Sequence, residues 1–142
     1  MDTRINSAFW TLRIALGLTA FLAGVDKFLN LLTNWEQYVS PFVLSLVPLS
    51  AGALMRVAGV IEIVAGLAIL AGLTRLGGYV VAGWLALIAL TLVTGGRFFD
   101  IAVRDLVMAC GAYVLARLSE VKEHVAVPAN SAGGWAPAAS AR

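Results

Sequence analysis

Four long apolar stretches, residues 9–32, 54–73, 76–94 and 101–118, take up most of this 142-residue chain. Each is close to the ~20 residues that cross a bilayer core at ~1.5 Å rise per residue. Hydrophobic residues make up 61% of the chain and charged ones 13%, against about 25% charged in an average soluble domain. A soluble domain of this size buries only about two-thirds of the surface its unfolded chain exposes, so the apolar residues outnumber the interior places that could hold them. With a mean hydropathy of +0.90, the chain reads as all-α: a bundle of four transmembrane helices in the cell membrane, with the lipid bilayer as its first partner.

The second and third stretches are separated by Thr74-Arg75, with Gly72 before and Gly77-Gly78 after. That composition suits a tight turn between antiparallel helices. Residues 33–53 place Trp35, Tyr38, Phe42 and Leu46 at helical spacing, with Pro41 starting a second short piece. This predicts interfacial segments between helices 1 and 2, serving either as an aromatic anchor at headgroup level or as a lid. The first stretch has no small-x-small cleavage site before Asp26-Lys27 and reads as a retained span. Placing both termini in the cytoplasm puts Arg4, Arg13, Arg75, Arg117 and Lys122 inside and leaves Lys27, Arg56, Arg97 and Arg104 near the other face. The four-helix domain is expected over residues 1–122, followed by a flexible tail over 123–142 that turns rich in Ala, Ser, Gly and Pro from Val127.

Ten basic and eight acidic residues, net charge +2, are scattered and form no basic patch. Nucleic acid is not a partner such a pattern would bind. One cysteine, Cys110, and one histidine, His124, exclude an internal disulfide, a CxxC pair, a bis-histidine haem and a four-ligand zinc site within one chain. Cys110 is expected to pack as a small apolar side chain. No intrinsic cofactor or metal is expected; redox chemistry would need a bound quinone or a partner.

The informative residues are the ionisable ones within the apolar stretches, each costly in hydrocarbon unless it snorkels, pairs or faces a wet cavity. Counted from the expected outer ends, Lys27 lies ~7 Å deep, Arg104 and Asp105 ~6–8 Å, and Glu62 ~12 Å. Adding Asp26, Arg56, Arg97 and Asp100 balances basic and acidic groups toward one face, which predicts a neutralising network between helices. Arg13, Gly17, Ala20, Gly24 and Lys27 share one face of the first helix, and Gly59, Glu62 and Gly66 one face of the second. Small residues there would let the helices approach closely.

Lys27 and Arg56 are long enough to snorkel to the interface. Glu62 is short and flanked by Ile61 and Ile63, so it must be protonated or partnered, by Arg104 or Lys27. It is the best catalytic candidate, although a register-fixing ion pair is the reading its position favours. Arg97, Asp100 and Asp105 read as rim charges, with Asp100 and Arg104 an i,i+4 pair. Trp84, mid-helix, reads as core packing or as the cavity wall for a flat ligand such as a quinone. The expected ligand-binding set is thus Lys27, Glu62, Trp84 and Arg104.

Leu12-Arg13-Ile14-Ala15-Leu16-Gly17, then Ala23-Gly24-Val25-Asp26-Lys27-Phe28, then the run from Glu62 to Arg75, resemble the DoxX-like family of small four-helix membrane proteins. The resemblance extends from about Thr11 to Leu118. It implies the fold, and it implies more loosely an association with quinol oxidase or thiosulfate:quinone oxidoreduction, for which the family is named. Two functions from different classes follow. One is a subunit or accessory of a quinone-linked membrane oxidoreductase, with Glu62 accepting a proton while Lys27 and Arg104 hold its charge. The other is a non-enzymatic assembly factor or structural subunit whose buried charges only stabilise the bundle. Either role implies a membrane protein partner or a homo-oligomer. An interior open to a ligand would favour the first, and an interior sealed by Lys27 and Arg104 the second.

Overall fold

A computed structural model describes residues 2–126. The residues expected to form a tail beyond 126 lie outside that range. Four long helices follow one another: α1 (Thr3–Leu29), α3 (Ala51–Ala71), α4 (Thr74–Thr94) and α5 (Phe99–Ala126), with a 3₁₀ turn (Trp35–Tyr38) and the short α2 (Pro41–Leu46) between the first two. No strand occurs among the described residues. Helices α1, α3 and α4 are long and apolar enough to cross a membrane. Helix α5 is longer still, but Arg104, Asp105 and Arg117 interrupt its apolar stretch.

The helix ends follow local chemistry. Asp2, Ser40 and Ser50 cap α1, α2 and α3 through side-chain oxygens, and Pro41 occupies the first turn of α2, where its missing N–H costs nothing. Helix α1 stops at Leu29 because Asn30 turns left-handed at φ 51°, so residues 30–32 belong to the turn and not to the span expected from hydropathy. Gly72 closes α3 at φ 115°, a conformation that favours glycine. Two residues later, at Thr74, α4 begins, giving the expected tight hairpin. Helix α5 runs past 118 through Ala126, so residues 123–126, expected in the tail, are helical.

The long helices run alternately up and down in a ring, closed where α5 returns to α1. Two pairs are packed most closely. In α1/α3 a Cβ on Gly24 would lie 2.7 Å from the Gly59 carbonyl oxygen, and one on Gly66 2.6 Å from the Phe21 nitrogen, so these backbones touch. In α4/α5, Gly78 rests against Ala112 and Ala116 in the same way. At the end of the bundle carrying the α3–α4 turn, the pairs are joined by a core built on Phe9, Leu16, Ile69, Val81 and Leu115. There Arg13 donates to the Ile69 and Leu70 carbonyls at 3.0 and 2.8 Å, satisfying two of the acceptors that a helix C-terminus leaves unpaired. Lys122 bonds Asn6 at 3.2 Å and lies 4.4 Å from the Phe9 ring centroid, fastening α5 to α1. Leu18, Val64, Leu90 and Val107 are exposed on the outside, as befits helices that contact lipid. Cys110 is also exposed. Its expected packing in the core fails because it falls on the outer face of α5, while Ala109 and Ala112 take the inner one.

Candidate functional site

Toward the opposite end, the two pairs diverge around a cavity of about 680 Å³ roofed by the 3₁₀ turn and α2. Most of its wall is aliphatic, from residues such as Leu16, Leu54, Val57, Leu85 and Ile88, and the polar side chains gather from Lys27, Glu62, Trp84, Arg104 and Asp105. All four residues expected to bind a ligand therefore line one space.

The first polar wall is the Lys27–Glu62 pair. Gly24 and Gly59 lie three residues before the two charges and let α1 and α3 close, so that Lys27 Nζ reaches Glu62 Oε2 at 2.6 Å. Both side chains are buried, 5% and 8% exposed. Trp84 on α4 donates its indole N–H to the other oxygen, Oε1, at 3.2 Å. Of the two partners expected for Glu62, Lys27 is the one it has, and both carboxylate oxygens are engaged. The Lys27 ammonium also sits 3.9 Å from the centroid of the Trp35 ring, a favourable position for a desolvated cation.

Trp35 was not among the expected site residues. Its indole N–H donates to Asp26 at 2.7 Å, and Asp26 accepts in addition from the backbone N–H groups of Leu31 and Leu32. Asp26 thus ties the roof to the end of α1, with no ion pair of its own among the described residues. Tyr38 packs edge-on against Phe98 at 4.7 Å. Trp35 and Tyr38, expected as headgroup anchors or as part of a lid, border the cavity and hold the roof down. Only the nine-residue step from Asp26 to Trp35 hinted at this, and it acquires meaning once the left-handed turn at Asn30 reverses the chain.

The second polar wall belongs to α5. Asp105 is buried, 4% exposed, which corrects its expected place on the rim. Neighbouring helical residues point ~100° apart, so with Asp105 turned inward Arg104 lies to one side of it, more exposed but still bordering the cavity. Arg104 donates through Nε and Nη2 to Asp105 Oδ1 at 3.1 and 3.0 Å. It therefore pairs with its own neighbour and not with Glu62 or Asp100. Arg56, Arg97 and Asp100 are exposed, and none of them makes an ion pair among the described residues. The expected eight-group network is thus two separate pairs facing one cavity.

A family model described as DoxX matches residues 8–94. The chain belongs to the DoxX family. No curated protein and no solved structure matches it. The DoxX match covers α1 to α4, including Lys27, Trp35, Glu62 and Trp84, and ends before α5. In this DoxX protein the second polar wall, Arg104 and Asp105, comes from outside the matched region.

Proposed function

We propose that this DoxX-family protein crosses the cell membrane four times, with both termini in the cytoplasm, and holds a quinone- or lipid-like molecule between its helix pairs in the service of a membrane oxidoreductase system. The fourth crossing is supported by the way α5 disposes of its charges: Asp105 is buried against Arg104, and Arg117 pairs with Glu120 at the turn end. The observation that carries the binding reading is the cavity itself. At about 680 Å³ it falls within the ~300–1,000 Å³ range of small-molecule sites and shares their make-up, apolar walls with few polar groups. Electrons would come from a partner, and Glu62, held by Lys27 and Trp84, is the carboxylate placed to serve a proton. The bundle would work as a subunit or accessory beside that partner.

A specific observation favours the second reading, an assembly factor or structural subunit. No fully buried side-chain nitrogen or oxygen among the described residues lacks a hydrogen-bond partner, as expected of charges that only fix helix register. The readings separate by native mass spectrometry and lipid extraction on gently purified protein. Ala23, which lines the cavity, is changed to Phe to fill it. Binding predicts a co-purifying quinone or lipid in wild type that is lost in Ala23→Phe at unchanged helicity. Absence of any such molecule from both proteins would count against the binding reading and leave the architectural one.

A further inference from the structure

The two polar walls are not equivalent. At Glu62 both oxygens are occupied, by Lys27 and by Trp84. On α5, Nε and Nη2 of Arg104 converge on a single oxygen of Asp105. Arg104 Nη1 and Asp105 Oδ2 are left without a hydrogen-bond partner among the described residues. Asp105 is 96% buried by its 4% exposure, yet no enclosed side-chain oxygen is unpaired, so Oδ2 must open onto space. The space that Asp105 borders is the cavity. One residue pair therefore offers a guanidinium donor and a carboxylate acceptor side by side. The charges lining the cavity, Lys27 and Arg104 against Glu62 and Asp105, sum to zero.

We propose that Arg104 and Asp105 read the head of the bound molecule, and that this head is neutral, carrying a hydroxyl beside an oxygen acceptor. The proposal rests on the binding reading of the cavity and narrows its ligand. Arg104 Nη1 donates to the acceptor oxygen and the hydroxyl donates to Asp105 Oδ2, while the chain lies along the aliphatic wall. An anionic head would bring a net charge into an apolar space already balanced, where an added charge is costly. A head with acceptors alone would leave the buried Asp105 oxygen unpaired. The Glu62 carboxylate, with both oxygens engaged by Lys27 and Trp84, forms the fixed wall opposite.

The test uses three probes with one C18 chain, offered to the full-length protein in phosphatidylcholine nanodiscs and counted by native mass spectrometry. Monooleoylglycerol has hydroxyls and a carbonyl, methyl oleate has acceptors only, and oleyl sulfate is a permanent anion. Wild type is expected to hold monooleoylglycerol about tenfold more tightly than the other two, the effect of one hydrogen bond to a charged group. Asp105→Asn should reduce that preference to about twofold and raise retention of oleyl sulfate. Arg104→Gln takes the cation from beside a buried carboxylate, a loss that a Gln side-chain N–H donating to Asp105 partly offsets, and it is compared with wild type at matched helicity. It is expected to weaken both neutral probes by about tenfold, so it carries the test even if Asp105→Asn does not fold. Methyl oleate or oleyl sulfate bound as tightly as monooleoylglycerol by wild type would overturn the assignment of the head and leave the cavity a binding site. So would an Arg104→Gln protein that binds as wild type does. Retention of none of the three, with no co-purifying molecule, would remove the binding reading as well.

Discussion

The seam within α1/α3 and the gap between the two helix pairs are made of similar apolar sequence and behave in opposite ways. Along α1/α3, Gly17, Gly24, Gly59 and Gly66 bring one backbone against the other until no Cβ could be added without a clash. Between the pairs, larger residues such as Leu54, Leu85 and Trp84 meet across open space. Hydrophobicity does not distinguish these surfaces, because lipid is as apolar as leucine and gives helices no reason to prefer one another. Side-chain size and a few polar contacts do. The lesson is that in this membrane bundle small residues mark where the fold is closed, and large residues with charges mark where it is held open.

The comparison breaks most severely at the one ion pair that joins both surfaces. Glu62→Gln leaves Lys27 charged and buried without its anion, and we expect a loss of about 3–5 kcal/mol in unfolding free energy, read from thermal or denaturant melts in detergent. Pairing it with Lys27→Met should recover most of that loss; if the double variant is as unstable as the single, the pair is more than a mutual neutralisation. Glycines sharpen the contrast next. Gly66→Ala places a Cβ 2.6 Å from a backbone nitrogen and should cost about 1–3 kcal/mol by forcing α1 and α3 apart. The same change at Gly83, which has open space around it, should stabilise α4 by about 0.5–1 kcal/mol. Equal effects at the two positions, measured by the same melts, would show that contact within the pair does not govern stability.

The smallest effect is expected at the turn end, outside both surfaces. Glu120 lies beyond the apolar stretch of α5, where a hydrogen bond from the Tyr79 hydroxyl, aided by Arg117 and Arg75, holds its carboxyl below the ordinary carboxylate value of 4.5. A lowered folded value means stability that is present above about pH 4.5 and lost as pH falls through the folded value. Tyr79→Phe should flatten that acid limb slightly relative to wild type. An unchanged difference between melting at neutral pH and at pH below the ordinary value would show that the bond contributes nothing.

Much of the scaffold was legible because its signals are local. Apolar length marked the helices, Gly72 marked the hairpin, and Pro41 marked α2. Even the α1/α3 seam could be read, since Gly24 and Lys27, like Gly59 and Glu62, share a face by spacing alone. The site was read in part: Lys27, Glu62, Trp84 and Arg104 do line one cavity, whereas Asp105 was assigned to the rim and Trp35 to the membrane interface. The sidedness of a helical residue depends on the neighbours its helix acquires, and on α5 the adjacent charges divide unequally: Asp105 is buried, while Arg104, bordering the same cavity, stays 58% exposed.

What the amino-acid sequence determined by itself is the solvent and the elements: a chain this apolar must form helices that satisfy their own backbone in lipid. Tertiary structure alone decided which charges meet. The choice of Lys27 over Arg104 as partner for Glu62, the inward turn of Asp105 and the return of Trp35 to Asp26 each depend on distances between residues far apart in the chain. Those distances follow from how closely the helices of each pair approach and how far the two pairs diverge, which no single helix encodes.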